Sequence, residues 1–167
     1  MTDSNDQALA TLAAKVIAGA SRKQAMLTVA ESCTGGMVAA ALTDISGAST
    51  VLDRGFVTYS NAAKSDLLGV AEATLAAHGA VSRETAAEMA SGALAAAPLC
   101  HIAVAVTGIA GPGGGSAEKP VGLVWFGLAV RGGEVVTSRC QFDGDRTAIR
   151  TSAAKTAMNL FLDGLGA

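Results

Sequence analysis

Apolar positions along this chain recur in two rhythms, and the alternation between them outlines its elements. Between Asp6 and Ala20, the residues Leu9, Leu12, Val16 and Ile17 fall on one helical face, the spacing of an amphipathic helix. Met26 to Glu31 is a short continuous apolar run that predicts a buried strand. The run breaks at Glu31-Ser32-Cys33-Thr34-Gly35-Gly36, after which Met37 to Leu42 is Ala-rich and helical. Val51 to Tyr59 is β-branched and aromatic and predicts a second strand. Ser60 can cap a helix running through Leu68, with Gly69 as its stop. Ala71 to Ala77 adds a further helical piece, and Ser82 caps another that runs to about Ala97, before Pro98. Ile102 to Val106 predicts a third strand, leading into Thr107-Gly108-Ile109-Ala110-Gly111-Pro112-Gly113-Gly114-Gly115. Val121 to Val130 and Glu134 to Phe142 flank Gly132-Gly133, a hairpin signal. Asp145 then caps a last amphipathic helix to about Leu162.

Strands alternating with helices, plus one hairpin, predict an α/β fold: a single-domain layered sandwich over 1-167. Its sheet is expected to be mixed and mostly parallel, with a C-terminal β-hairpin and helices on both faces. No repeat, linker or charge block divides the chain. Composition agrees with one packed domain, since 50% of the 167 residues are hydrophobic and only 16% charged. A chain this apolar, with few charges to cover its surface, leaves self-association as a homo-oligomer, a dimer, open.

Charge and aromatic content then exclude partners. The net charge is −2, the Lys and Arg residues are scattered, and the longest basic run is the pair Arg22-Lys23. Four Phe, one Trp and one Tyr cannot furnish base-stacking platforms. No nucleic acid is therefore expected as a partner. The N-terminus Met1-Thr2-Asp3-Ser4-Asn5-Asp6 is acidic where a signal peptide is basic and then apolar. The longest apolar stretches, around 102–110 and 121–130, are too short to span a bilayer, so no membrane association and a cytoplasmic location are expected. Cys33, Cys100 and Cys140 lie far apart and form neither a disulfide framework nor a zinc site. There is no H-E-x-x-H, and His78 and His101 sit where structural roles suffice, so no metal is expected.

Three polar or glycine-rich segments fall where strands give way to helices, the edge at which α/β sheets gather ligands. They are Ser32 to Gly36, Tyr59 to Lys64, and Thr107 to Gly115. None is a phosphate loop, a dinucleotide fingerprint or a G-x-S-x-G elbow. Ser32 follows a strand and precedes a helix, so it can be a nucleophile at a sharp turn. It or Thr34 can equally be a plain helix cap. Lys64 lies in the first turn of its helix, where the dipole disfavours an ammonium; partly buried, it can be neutral and act as a base. It can also be an ordinary solvated lysine. Tyr59 ends the preceding strand and can hydrogen-bond the lysine or the nucleophile. The glycines at 113–115 offer bare N–H groups to an anion, or form a mobile loop. Arg146, in the first turn of the last helix, is explained more easily by an anionic ligand than by helix stability. Cys33, beside Ser32, competes as nucleophile. Ser116-Ala-Glu-Lys119 and Ser152-Ala-Ala-Lys155 match S-x-x-K, but no K-T-G or S-D-N accompanies them.

Taken in order, Glu31-Ser32-Cys33-Thr34-Gly35-Gly36, Tyr59-Ser60-Asn61-Ala62-Ala63-Lys64 and Thr107-Gly108-Ile109-Ala110-Gly111-Pro112 resemble the CinA C-terminal domain family. Lys119-Pro120-Val121-Gly122 and Gly144-Asp145-Arg146 continue the likeness, which runs from about Ala8 to Leu162. The resemblance implies hydrolysis of the carboxamide of nicotinamide mononucleotide, a small-molecule nucleotide substrate, to nicotinic acid mononucleotide and ammonia. It implies a Ser/Lys amidohydrolase of pyridine nucleotide salvage with no cofactor: Ser32 as nucleophile, Lys64 as base, Tyr59 assisting. Thr34, Gly35, Gly36, Thr107, Gly108, Gly111, Gly113, Gly114 and Arg146 are the expected substrate-binding residues. The oxyanion would be held by N–H groups near Gly35 and Gly36, or at Thr107-Gly108. A stand-alone form is expected, without the larger N-terminal domain resembling molybdopterin-binding proteins found in many relatives. The competing readings are a non-catalytic nucleotide-binding or regulatory module and a competence-related interaction protein.

Overall fold

The computed structural model describes residues 4–167, apart from the side chain of Asn5. Its strands are β1 (Leu27–Glu31), β2 (Leu52–Val57), β3 (Ile102–Gly108), β4 (Leu123–Val130) and β5 (Val136–Gln141). They form one five-stranded sheet in the order β2-β1-β3-β4-β5. The β1–β2 and β1–β3 pairs are parallel, whereas β3–β4 and β4–β5 are antiparallel. Only β4 therefore runs against the others, which gives the mixed sheet with a C-terminal hairpin expected from the hydrophobic pattern.

Among the described residues there are six helices: α1 (Ser4–Lys23), α2 (Met37–Thr43), α3 (Asn61–Leu68), α4 (Glu72–His78), α5 (Arg83–Ala96) and α6 (Arg146–Leu165). Three begin at the caps read from the sequence. Ser60 accepts the Ala63 N–H, Ser82 that of Thr85, and Asp145 that of Ala148. Boundaries moved where tertiary contacts extend or end an element. β3 runs on to Gly108, α6 runs on to a left-handed Gly166, and β2 stops at Val57. The 3-10 turn at Ala48–Thr50 had no sequence signature.

The two faces of the sheet carry side chains of different size. Along β1 and β3, Leu27, Val29, Ile102, Val104 and Val106 pack with α1, α2 and α6. Their alternate neighbours Ala30, Ala103 and Ala105 face a second cluster built on Met89, Ala90 and Ala93 of α5. This alternation of large and small follows from the period of two in a strand. It lets α5 lie close against the sheet. At Gly127 of β4, an added Cβ would sit 2.4 Å from the Ala86 carbonyl oxygen and 2.9 Å from Ala90 Cβ. Among the described residues no helix is long and apolar enough to cross a membrane.

The close α5 packing yields a stability test. Gly127→Ala should lower unfolding free energy by about 1–3 kcal/mol through overpacking, measured by urea denaturation.

Candidate active site

The site starts where two parallel strands part. β1 and β3 stay in register to Glu31 and Val106, and the last rung runs from the Ser32 N–H to the Val106 carbonyl at 2.9 Å. Beyond it the chain after β1 folds back, with the Gly35 N–H donating to the Ser32 carbonyl at 3.0 Å. β3 continues to Gly108. Gly35 and Gly36 take positive φ, 58° and 100°, which this reversal requires and side chains resist.

The start of α2 is capped by neither Ser32 nor Thr34. The fully buried Glu31 carboxylate does it, accepting N–H groups of Gly36 and Val38 at 3.1 Å each and of Ala39 at 2.9 Å. A carboxylate at a helix N-terminus is favoured by the exposed donors and by the dipole. From the other side, Arg150 of α6 donates through Nε and Nη2 to the carbonyls of Cys33 and Thr34, at 3.1 and 2.9 Å. The turn is thus held at both ends, and the Ser32 hydroxyl takes no part in holding it.

That hydroxyl meets Lys64. The lysine side chain is 1% exposed, and its Nζ lies 2.9 Å from Ser32 Oγ while donating to the Thr58 carbonyl at 2.8 Å. Among the described residues no carboxylate lies within ion-pair distance of it. Burial pushes the ammonium below its usual pKa, against a smaller opposing effect of Cys33. Desolvation, rather than the helix dipole alone, is what lowers the Lys64 pKa. The same burial pushes the Cys33 thiol up to about 11, so it stays protonated at neutral pH.

Ser32, Tyr59, Lys64, Thr107, Gly108 and Arg146 line one cavity of about 240 Å³, walled opposite by Ala80 and Val81. Five chain segments, remote from one another in sequence, meet there. Thr107 donates its hydroxyl to the Ala80 carbonyl at 2.7 Å, tying that wall to β3. Tyr59 is 60% exposed at the rim, and its hydroxyl accepts from Arg146 Nη2 at 3.0 Å rather than bonding Lys64 or Ser32. Arg146 Nη1 donates to the Gly111 carbonyl at 2.7 Å.

The remaining expected residues lie outside the cavity lining. Thr34 is fully buried with its hydroxyl unpartnered, and the N–H groups of Gly35 and Gly36 are already taken by the Ser32 carbonyl and Glu31. Gly113 and Gly114 are exposed on the loop beyond Pro112. A wider surface groove of about 730 Å³ between α4, α5 and the β4–β5 hairpin holds no comparable nucleophile–base pair. Among the described residues no three His, Cys, Asp or Glu side chains converge to hold a metal ion.

The profile of the CinA C-terminal domain matches residues 9–165. The chain belongs to the CinA C-terminal domain family. Among similar proteins, nicotinamide-nucleotide amidohydrolase PncC of Enterobacter agglomerans is 53% identical over 162 residues, covering 95% of this chain and 98% of that one. The Escherichia coli K12 protein of the same name is 52% identical over 158 residues, covering 95% and 93%. The solved structure of the competence/damage inducible protein CihA from Agrobacterium tumefaciens aligns with a TM-score of 0.90 at 50% identity, over 96% of each chain.

Within this CinA-family site, the sequence reading assigned no role to Glu31, Arg150 or the Ala80–Val81 wall. Arg150 had one available signal, since it follows Arg146 by four positions and so shares its helical face. Glu31 had only its place at the end of an apolar strand. The wall had no signal.

Lys64 makes stability depend on pH. Its folded pKa lies below the ordinary value of 10.5, so between the two the unfolded chain holds the extra proton. Stability rises with pH through that window. Lys64→Met should abolish the rise: its advantage over wild type is largest below the window and shrinks toward pH 10, read from urea midpoints.

Proposed function

We propose that this chain hydrolyses the carboxamide of nicotinamide mononucleotide to nicotinic acid mononucleotide and ammonia, with Ser32 as nucleophile and Lys64 as base. One observation carries the reading: the buried Lys64 Nζ lies 2.9 Å from Ser32 Oγ. The substrate class is supported by 53% identity to a protein named nicotinamide-nucleotide amidohydrolase.

Neutral Lys64 gives one N–H to the Thr58 carbonyl and turns its lone pair to the Ser32 hydroxyl. Ser32 Oγ attacks the amide carbon as its proton passes to Nζ. The C–N bond then breaks, and the new ammonium hands that proton to the departing nitrogen, which leaves as ammonia. An ammonium buried without a carboxylate gives up its proton readily, so desolvation serves both half-steps. Water, deprotonated by Lys64, next attacks the acyl carbon and releases the acid, and Ser32 regains its proton. Protein groups suffice for every step.

Size and charge divide the substrate. An apolar cavity of about 150 Å³ accepts benzene. The present 240 Å³ therefore suits the pyridine ring with its carboxamide, leaving the ribose phosphate at the mouth. Arg146 stands there, exposed, with two of its five N–H groups engaged by Gly111 and Tyr59. Its remaining donors suit a phosphate. Tyr59 in this reading holds Arg146 rather than relaying a proton.

Purified protein given nicotinamide mononucleotide and a chelator should release ammonia. Ser32→Ala and Lys64→Met should each cut the rate by about 10²–10⁴-fold, while Cys33→Ala keeps it. Activity that survives Ser32→Ala but not Cys33→Ala would overturn the assignment. Nucleotide binding without ammonia release would instead mark a non-catalytic binding module. The activity–pH curve should also titrate a base below 10.5.

A further inference from the structure

The parting of β1 and β3 leaves one peptide of the sheet unanswered. Main-chain groups along a strand point alternately to its two neighbours. On β3, the Ile109 N–H beyond the strand end donates toward β4, to the Leu123 carbonyl at 2.9 Å, while the Val106 carbonyl faces β1 and accepts the Ser32 N–H. Gly108, two residues after Val106, therefore turns both its N–H and its C=O to the β1 side. A continuing parallel strand would answer them with the Ser32 carbonyl and the Thr34 N–H. The turn has removed both: the Ser32 carbonyl accepts from Gly35, and the chain folds away. Among the described residues nothing hydrogen-bonds to the Gly108 N–H or C=O, and Gly108 lines the cavity with Ser32 and Lys64. A main-chain amide left unpaired in this way is costly unless something in the cavity pairs it.

We propose that Gly108 is the recognition element for a primary carboxamide, an inference that rests on the amidase reading above. Its N–H donates to the substrate carbonyl oxygen and to the oxyanion that forms there. Its C=O accepts from the substrate NH2. The carboxamide carries an acceptor and a donor side by side, the complement of an extended residue, and so takes the missing rung. The acid product carries two acceptors and sets lone pairs against the Gly108 carbonyl. Substrate is thereby preferred to product at the same peptide. Donors at Gly35 and Gly36 cannot serve the oxyanion because they are occupied. Glycine is required for fit as well: a Cβ at 108 would lie 2.7 Å from Val124 Cγ2 and 2.8 Å from the Leu123 carbonyl oxygen.

A side-chain substitution would disturb β4, so the test alters the backbone. Cys100 allows residues 100–167, carrying glycolic acid in place of Gly108, to be ligated to residues 1–99. The ester removes an N–H with no internal partner and weakens as an acceptor only the Thr107 carbonyl, which faces β4 opposite Trp125, so thermal stability should fall only slightly below that of the all-amide ligated protein. With nicotinamide mononucleotide, kcat/KM should fall about 10²–10³-fold, as for loss of one oxyanion donor. An unchanged kcat/KM overturns the donor role and moves it to the N–H groups of Cys33 or Thr34. The acceptor role is read by titrating Ser32→Ala with both nucleotides: the amide should bind at least tenfold tighter than the acid, and equal binding overturns it. This second arm stands if the ligated chain does not refold. An all-amide protein that releases no ammonia overturns the amidase reading itself, a result distinct from either of these.

Discussion

A single amine removed from water governs this site. Lys64 reaches the interior from the first turns of α3 and meets a serine hydroxyl and a main-chain carbonyl there, with no carboxylate among the described residues to balance its charge. A paired lysine would remain an ammonium and could not take a proton. Burial alone moves its pKa down. The packing of α3 against α5, through Leu68 and Met89, is therefore also what sets the acid–base character of the centre.

A different device places Ser32. Ser32 sits one residue past the end of β1, where a strand would ordinarily continue. Glu31 draws the N-terminus of α2 inward, and Arg150 draws the intervening carbonyls outward. Together they make the chain leave the sheet at Ser32. The same departure opens the cavity and leaves the Gly108 peptide facing it. The place of Ser32, the cavity and the unpaired main chain are thus consequences of one break in a parallel ladder.

Much of the architecture was legible because it is local. Ser60, Ser82 and Asp145 cap helices through bonds to residues three positions away, and sequence shows such pairs directly. The Val/Ala alternation in Leu27–Glu31 and Ile102–Val106 encodes two faces of unequal depth. The site was half legible. Ser32, Lys64, Tyr59 and Arg146 were nominated from their places at strand and helix ends, and they do share a cavity. Two local inferences failed for physical reasons. Ser32 and Thr34 do not cap α2, because a buried carboxylate is a stronger acceptor for several N–H groups than one hydroxyl. Tyr59 does not bond Lys64, because its ring lies at the rim and the Arg146 guanidinium reaches its hydroxyl first.

By itself, then, the sequence determined the order of elements, the caps, the two faces of the sheet and the residue types available for chemistry. Each of these depends on neighbours a few positions apart. Tertiary structure alone decided that Lys64 is dry, that Tyr59 pairs with a residue 87 positions away, and that Arg150 grips carbonyls 116 and 117 positions away. It also decided that the Gly108 peptide goes unanswered. An unmade hydrogen bond has no signature in the residue that lacks it, since it depends on where another strand ends.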